Sequence, residues 1–429
     1  MMKLRSIAAI TILSIGLFLQ SRAVRSEPSK ILESIQISHE VLPQDPAVVM
    51  NSRVTNGFLT YNFLVPYGSG IAVRHFHNGK QSITSYTLKF VDWQEYGVFD
   101  CKRSPDGRYI AFKYGADFSS YKLCILDTQA KTLRIASEEN LSFRDFFFSP
   151  DSKYIAFVAG GNYWGQTNTK GAMPLRLLCY NVVKDKAEVV PITRFFPTSL
   201  AWLAPHTLYF SAQKDTSEKT VSLKKPDLYQ FDPMSSKVTW AMKDCYRPSF
   251  SPDGNKVAFF GSENPDKPFP LLDGWQYNAK YMALCVSNLD GSERIALTVE
   301  KGNYPRIVWS HSPTALYELQ QTQPSPQAKL AIIKWDIHSR KKADVVDVFS
   351  KDYKPILTDE TGSSPTFSLV GSGGSNNKIL VAVVEVKGRD PKRPVLNILQ
   401  TLQSIDLMNK TIVPVVSSHK SLSYDWESD

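Results

Sequence analysis

The chain has 429 residues, with 50 Lys and Arg against 41 Asp and Glu and a formal net charge of +9. The charge falls to +6 without the three cations before residue 24, and basic and acidic residues alternate along the rest of the chain. Nucleic-acid-binding proteins gather their basic residues on one face, so this distribution argues against that class and indicates a solvated surface. An anionic polymer of a cell envelope stays open as a weak partner.

The N terminus has the pattern of a secretory signal peptide. Lys3 and Arg5 precede an apolar stretch from Ile7 to Leu19, and Ser21-Arg22-Ala23 follows as a small-x-small cleavage site. A helix over this stretch would be about 20 Å long, against about 30 Å for the hydrocarbon core of a bilayer. We therefore predict a signal peptide over residues 1–23, cleaved after Ala23, and no later membrane span. The mature protein is expected in the periplasm or outside the cell, with an uncleaved N-terminal anchor as the alternative.

The five cysteines do not have the spacing of a disulfide framework. Cys124, Cys179 and Cys285 each follow a leucine at the start of an apolar stretch, as one buried position in three repeats would. Equivalent positions of different repeats are too far apart for a disulfide, so these three are expected to be core residues. Cys101 and Cys245 are the one remaining pair for which a disulfide stays open.

A nine-residue phrase occurs three times: SPDGRYIAF from Ser104, SPDSKYIAF from Ser149 and SPDGNKVAF from Ser251. Its first four letters predict a three-residue hairpin loop with a bulge, because Pro fixes φ and Gly supplies a positive φ. Ser152 replaces that Gly in the second copy, at a cost of roughly 1 kcal/mol if φ stays positive. The predicted structural turn residues are Ser104, Pro105, Asp106 and Gly107; Ser149, Pro150 and Asp151; and Ser251, Pro252, Asp253 and Gly254.

A short strand with apolar residues on both faces follows each turn, which predicts a sheet covered on both sides. We call the residue aligned with Ile110 the anchor residue of its repeat. Four weaker copies extend the series, so that the anchors are Ile71, Ile110, Ile155, Leu208, Val257, Leu316 and Ile379. Spacings of about forty to sixty residues, each with a second apolar hairpin, predict four-stranded propeller blades. Helical periodicity is nearly absent; for Ser29 to His39 a short helix and a non-helical segment are equally open.

The three strong copies resemble the WD-like repeats of the TolB-type β-propellers of exported bacterial proteins. The resemblance implies an all-β propeller in an envelope setting. TolB itself carries an α/β domain before its propeller, whereas only residues 24–56 separate the signal from the repeats here. The role of TolB in the Tol system is therefore not transferred to this chain.

The domain organisation follows from the repeats. We predict an N-terminal lead segment over residues 24–56, a single propeller over 57–417 and a C-terminal tail over 418–429. Seven anchors favour seven blades. Six blades stay open, with the first repeat as an N-terminal segment that closes the ring. A monomer is expected.

The connections between second and third strands are long, whereas the Ser-Pro-Asp turns on the other face are tight, which marks the long-loop face as the functional one. The long loops are predicted at Tyr114 to Tyr121, Gly160 to Pro174, Ala212 to Pro226, Gly261 to Lys280, Gln320 to Gln327 and Glu385 to Pro394. Two of them carry the candidate binding residues Tyr163, Trp164, Phe269, Trp275 and Tyr277. Such aromatics suit sugar stacking or a protein hot spot; the alternative is that they cover the blade edges as lids.

Catalytic motifs are absent from the sequence. The chain has no Gly-x-Ser-x-Gly elbow, and Gly371 to Ser375 (GSGGS) is expected to be a turn. His75 and His77 share a strand face, as two metal ligands would, but an exposed strand end explains them as well, and no metal site or cofactor is predicted. The aspartates that recur after third strands are expected to form turns: Asp127, Asp232, Asp290, Asp336 and Asp406.

Two functional hypotheses follow. The first is an exported, non-catalytic propeller that binds a cell-envelope protein or polysaccharide through its long-loop face. The second is a propeller hydrolase or lyase with a metal-assisted site at the mouth of the central channel.

Overall fold

The computed structural model describes most of the repeat region. The described residues are 32–40, 57–65, 68–77, 80–90, 97–115, 121–159, 176–192, 195–214, 226–262, 283–297, 307–310, 312–321, 330–347, 366–372, 378–389, 396–407, 411–418 and 424–428. The predicted signal peptide and its cleavage site at Ala23 lie outside them.

The described residues form 28 β-strands and contain no helix, as the all-β prediction requires. The chain begins with β1 (Leu32–Glu40), β2 (Gly57–Val65), β3 (Gly68–His77), β4 (Lys80–Phe90), β5 (Gly97–Arg103), β6 (Tyr109–Gly115), β7 (Tyr121–Asp127), β8 (Thr132–Phe148), β9 (Tyr154–Ala159), β10 (Arg176–Asn181) and β11 (Lys186–Val189). The middle contains β12 (Phe195–Ala204), β13 (Thr207–Lys214), β14 (Asp227–Asp232), β15 (Lys237–Met242), β16 (Tyr246–Phe250), β17 (Lys256–Gly261), β18 (Ala283–Asn288) and β19 (Ile295–Leu297). The last part contains β20 (Ile307–Trp309), β21 (Ala315–Gln321), β22 (Leu330–Asp336), β23 (Lys341–Asp347), β24 (Thr366–Ser372), β25 (Lys378–Arg389), β26 (Leu396–Asp406), β27 (Thr411–Ser418) and β28 (Tyr424–Ser428).

These strands pair into six antiparallel sheets, which we call A to F. Sheet A has the order β1-β4-β3-β2-β28, and sheet B runs without a break from β5 to β11. Sheets C to F are four-stranded meanders: β12 to β15, β16 to β19, β20 to β23 and β24 to β27. In sheets B to F every anchor residue lies on the second strand of its unit, and sheet B contains two of them, on β6 and β9; Ile71 lies on β3, the middle strand of sheet A.

The core consists of apolar layers between successive units. Ile110 and Phe112 of β6 pack in one cluster with Ile71 and Leu88 of sheet A. The opposite face of β6, with Tyr109, packs with Ile155 of β9. The two halves of sheet B therefore face each other across β8. Further layers join sheet B to C, C to D and D to E.

Strands buried on both faces confirm the expectation from their apolar pattern, because the units of sheets B to D are each covered by both neighbours. The facing halves of sheet B support a count of seven blades, which stays a prediction.

Each repeated turn is closed by a serine side chain. The Ser104 N–H donates to the Tyr109 carbonyl at 2.8 Å, and the Ser104 carbonyl accepts from the Gly107 N–H at 2.8 Å. The Tyr109 N–H therefore donates to Ser104 Oγ, also at 2.8 Å. The same three bonds occur at Ser149 and Ser251. The loop between the paired Ser104 and Tyr109 thus contains four residues rather than the predicted three. The serine carbonyl already accepts the Gly107 N–H, so the serine hydroxyl accepts the Tyr109 N–H in its place.

The aspartate of each turn holds the serine in place. Ser104 Oγ donates to Asp106 Oδ1 at 2.6 Å, and the same oxygen accepts the Arg108 N–H at 3.0 Å. The serine hydroxyl is therefore both a donor and an acceptor, which satisfies it although Ser104 is fully buried.

Ser152 keeps the positive φ of the glycine that it replaces, with φ at 60°. Its hydroxyl accepts the Asp106 N–H of the preceding turn at 3.0 Å. The strained residue therefore links two successive turns. This hydrogen bond offsets the cost of the positive φ, and the sequence pattern around Ser152 did not reveal it.

Sheet A joins both ends of the described chain. β1 pairs with β4, and β28 pairs with β2 from Gly57↔Ser428 to Tyr61↔Tyr424. Strands from the predicted lead segment and the predicted tail therefore complete this sheet, and the domain bounds at 57 and 417 stay a prediction. The option of a helix at Ser29 to His39 is wrong for residues 32–39, which pair with β4, and exposure alternates as in a strand over residues 34–38.

All five cysteines are buried and none forms a disulfide, so Cys101 and Cys245 are not bridged. The expected equivalence holds for Cys124, opposite Phe112, and Cys285, opposite Phe259. Cys179 lies opposite Ala156, one position further along its strand. A shift of one residue turns a side chain to the other face of the sheet, so Cys179 packs towards sheet C instead of the preceding unit.

Candidate functional site

The two sides of the sheets differ in the length of their connections. The Ser-Pro-Asp turns join first to second strands on one side. The connections from second to third strands lie on the other side and cover residues 116–120, 160–175, 215–226, 262–282, 322–329 and 390–395. This is the long-loop side. β25 extends to Arg389, so residues 385–389 of the last predicted loop are strand instead.

The predicted binding aromatics lie outside the described residues. Tyr163 and Trp164 belong to the connection between β9 and β10, and Phe269, Trp275 and Tyr277 to that between β17 and β18. The described strand ends place both connections on the long-loop side. The site can therefore be built from the ends of these loops and from the first strands of the units.

Successive units contact each other through their first strands, since β5 contacts β2 and β28, β12 contacts β8 and β16, and β20 contacts β16 and β24. In a propeller these strands line the central channel. Among their described side chains the charged ones are Asp100, Lys102 and Arg103 on β5 and Arg247 on β16. Three of these four described side chains are cations and one is an anion.

Asp100 and Arg247 occupy the same repeat position. Each lies at a register shift, directly after the paired residue Phe99 or Tyr246, and each has a positive φ, 49° and 50°. Such strained bulges redirect side chains and occur often next to functional sites. Asp100 Oδ2 pairs with Lys113 Nζ at 2.6 Å, and this Lys113 side chain is only 2% exposed. The buried ammonium thus holds a half-exposed carboxylate in place.

Lys102 contributes the charge on the same strand. Its ammonium lies 4.0 Å from the centre of the Phe147 ring and 5.7 Å from that of Phe146. The ring quadrupoles attract the cation and so offset part of the hydration that it loses. The first strand of one unit is thereby held against that of the next.

A hydrogen-bond network fastens the ends of two long loops between sheets C and D. Asp244 accepts the N–H and the hydroxyl of Ser262, where the connection to β18 begins. The Asp244 N–H donates to Asp227 Oδ1 at 3.1 Å, where the connection from β13 ends. A Cβ on Gly261 would come within 2.6 Å of the Asp244 carbonyl, so only glycine allows this close approach.

Arg294 completes the network, since its guanidinium donates to the carbonyls of Lys243 and Ser262 at 2.6 and 3.2 Å. Burial is the main cause that raises the pKa of Asp227, and the Asp244 N–H and the Trp240 indole N–H act against it. The loop that carries Phe269, Trp275 and Tyr277 thus begins at Ser262, whose N–H and hydroxyl both donate to Asp244.

One exposed aromatic of this region was missed from the sequence. Trp240 lies on β15 with 54% of its surface exposed, and its indole N–H donates to Asp227 Oδ2 at 3.3 Å. Nothing in the sequence indicated that this tryptophan is exposed, because the exposure of a side chain in the last strand of a blade depends on which neighbouring unit covers that strand.

The remaining candidates have simple geometry. His75 and His77 lie two residues apart on β3, where the first is opposite Phe58 and Ser82. Asp127 accepts the N–H groups of Gln129 and Ala130, and four of the recurring aspartates cap turns in this way: Asp127, Asp232, Asp290 and Asp336. Within the described ranges, no three His, Cys, Asp or Glu side chains converge on a metal position.

The described residues also include no helix long and apolar enough to cross a membrane. Four-stranded antiparallel meanders that stack face to face and touch through their first strands define the β-propeller class. The fold predicted from the repeats is confirmed.

Comparison with known proteins gave only structural matches. No protein-family profile and no curated protein sequence matches the chain. TolB from Acinetobacter baumannii matches 86% of this chain and 83% of its own at 14% identity, with a TM-score of 0.40. An oligogalacturonate lyase from Vibrio parahaemolyticus matches 86% and 85% at 15% identity and 0.44. The propeller domain of the Trilobed protease from Pyrococcus furiosus matches 84% and 98% at 13% identity and 0.45.

Proposed function

We propose that the protein is an exported, non-catalytic β-propeller that binds a cell-envelope protein or polysaccharide through its long-loop face. One observation carries the proposal: the two sides of the same sheets are built differently. The short side repeats one turn held by a buried serine, whereas the long-loop side varies from unit to unit. Binding residues are found mainly on variable loops that a rigid scaffold positions.

The network at Asp244 supports this assignment. Asp244 holds Ser262, where the loop of Trp275 and Tyr277 begins, and Asp244 itself has a positive φ of 53°, which costs energy unless the surroundings stabilise it. A fixed starting point reduces the entropy that an aromatic loop loses when it binds.

The proposal is tested with the chain from Val24 immobilised and exposed to an envelope extract. One variant replaces Tyr163, Trp164, Trp275 and Tyr277 by Ala. The control replaces Val183 and Met234 by Ala, two exposed side chains of hairpin turns on the short side. We expect a partner that the native chain and the control retain and the loop variant loses, with equal melting temperatures. The captured partner, once purified, should bind the native chain in solution. Equal retention by all three chains would refute the proposal.

The second candidate is a hydrolase or lyase at the channel mouth, and the charged first strands favour it. Asp100 and Lys113 form a partly buried ion pair, and Lys102 and Arg247 add positive charge. Such a lining suits an anionic substrate. A stoichiometric divalent metal in the purified protein, with turnover of an acidic oligosaccharide that Lys102→Ala abolishes, would favour this function over the first.

A further inference from the structure

The sheet C surface contains an aromatic row that ends in solvent. Phe210 and Tyr229 pack with ring centres 5.5 Å apart and planes 20° apart, and Tyr229 is directly opposite Trp240 on the last strand. Phe210 is fully buried and Tyr229 nearly so, whereas Trp240 is more than half exposed. The row therefore continues from the core to an exposed indole at the outer edge of the sheet.

Two features fix the orientation of this indole. The pairing of β14 with β15 shifts register between Leu228↔Met242 and Tyr229↔Trp240, which leaves Ala241 as an extra residue. Bulges of this kind redirect the neighbouring side chains. The indole N–H also donates to Asp227 Oδ2, and Asp227 in turn accepts the Asp244 N–H. The ring is thus held in one position before any ligand arrives, which lowers the entropy cost of binding.

We propose that Trp240 and Asp227 form a subsite for one pyranose ring of a neutral glycan. A pyranose has an apolar C–H face, which matches an exposed indole, and a rim of hydroxyl donors, which a carboxylate can accept. Asp227 has acceptor capacity beyond its two described bonds, since an ionised carboxylate offers about four lone-pair sites. The Asp227 carboxylate beside the indole disfavours an anionic sugar at this place, although Lys243 also acts electrostatically on Asp227.

The subsite goes beyond the proposed long-loop function, because it lies on the outer strand of sheet C and uses none of the aromatic loop residues. The failure of the subsite and the failure of the long-loop function can be told apart, because the Trp240 variants test the subsite and the loop variant tests the long-loop function.

The test measures binding of chitohexaose, cellohexaose and maltohexaose to the chain from Val24 by titration calorimetry and saturation-transfer NMR. An oligogalacturonate of similar length serves as the anionic comparison. The variants are Trp240→Ala and Trp240→Phe, with Met234→Ala as the matched control, since Met234 is also exposed in sheet C, at 69%. The variant without Tyr163, Trp164, Trp275 and Tyr277 is titrated in parallel.

We expect saturable binding of at least one neutral hexasaccharide. Trp240→Ala should weaken it about tenfold and Trp240→Phe less, because a smaller flat ring remains. Met234→Ala and the loop variant should bind like the native chain, and all melting temperatures should agree. Three results would each overturn the subsite: no saturable neutral ligand, an unchanged affinity in Trp240→Ala, or tighter binding of the oligogalacturonate. Self-association that Trp240→Ala abolishes would also overturn it and would identify a second copy as the occupant.

Discussion

At the scale of single residues, the serine hydroxyls of the repeated turns decide the geometry. Ser104 Oγ satisfies the Tyr109 N–H and is itself held by Asp106. A proline, an aspartate and a glycine alone would form a shorter loop. Because the hydroxyl accepts the Tyr109 N–H, the loop is one residue longer and this buried donor still has an acceptor. This explains why serine begins every strong copy of the repeat.

Ser152 shows how one residue can offset its own strain. We expect Ser152→Ala to destabilise the protein by about 1 kcal/mol, because it keeps the positive φ and loses the bond from the Asp106 N–H. Ser152→Gly loses the same bond but relieves roughly 1 kcal/mol of strain, so its stability should stay near that of the native chain. Urea unfolding of the two variants provides the comparison. Equal loss in both would contradict the assigned link.

At the scale of strands and sheets, two tryptophans join neighbouring units. The Trp202 indole N–H donates to the Phe147 carbonyl at 3.0 Å, between sheets C and B, and that of Trp309 to the Ser249 carbonyl at 2.8 Å, between E and D. Each tryptophan pairs with the anchor residue of its own unit, Leu208 or Leu316. The same device therefore fastens the first strands at two separate seams.

Replacing either tryptophan by Phe should destabilise the protein by about 2 kcal/mol, since a hydrogen bond is lost and a small cavity forms. The seams share no residues, so the effects of the two substitutions should add in the double variant. Denaturant midpoints of both single variants and the double variant test this. A double variant no less stable than the worse single one would show that the seams are not independent.

The C-terminal strand is the second device at this scale. β28 pairs with β2 and also contacts β5, so it links the end of the chain to its first two units. A chain that ends at residue 423 should melt at a clearly lower temperature, because the inner edge of sheet A loses its partner. A chain that lacks only Asp429 is the control. Calorimetry that shows equal melting temperatures would exclude a closing role for β28.

At the scale of the whole molecule, stability rests on stacked apolar layers that are tied together by hydrogen-bonded carboxylates. Burial acts to raise the pKa of Asp127, but the Arg108 guanidinium and the N–H groups of Ala130 and Gln129 outweigh it and lower the pKa overall. Hydrogen bonds also lower the pKa of other turn aspartates, namely Asp151, Asp232, Asp253, Asp290 and Asp336.

A lowered pKa in the folded state stabilises the protein above the unfolded pKa, and this contribution disappears as the pH falls through the folded value. The melting temperature should therefore fall steeply below about pH 4. Asp127→Asn should be less stable at neutral pH and lose less on acidification. Calorimetry from pH 7 down to pH 3 tests both statements, and parallel profiles for the two proteins would exclude Asp127 as a contributor.

The sequence by itself determined the repeat, the position of the anchor residues, the double-faced strands and the all-β class. Each of these depends on the local spacing of apolar and turn residues, which a single chain displays directly. The sequence also indicated that tight turns lie on one side of the sheets and long connections on the other. The structure places the strand ends that bound them on opposite sides of the sheets.

Only the tertiary structure decided how distant segments meet. The pairing of β1 and β28 into sheet A, the link from Ser152 to Asp106 and the opposite face of Cys179 all depend on neighbours far away in the sequence. The same holds for Trp240, because its indole is exposed only where no neighbouring unit covers the last strand. Spacing predicts what a segment can form, whereas burial and hydrogen-bond partners depend on the segments that fold against it.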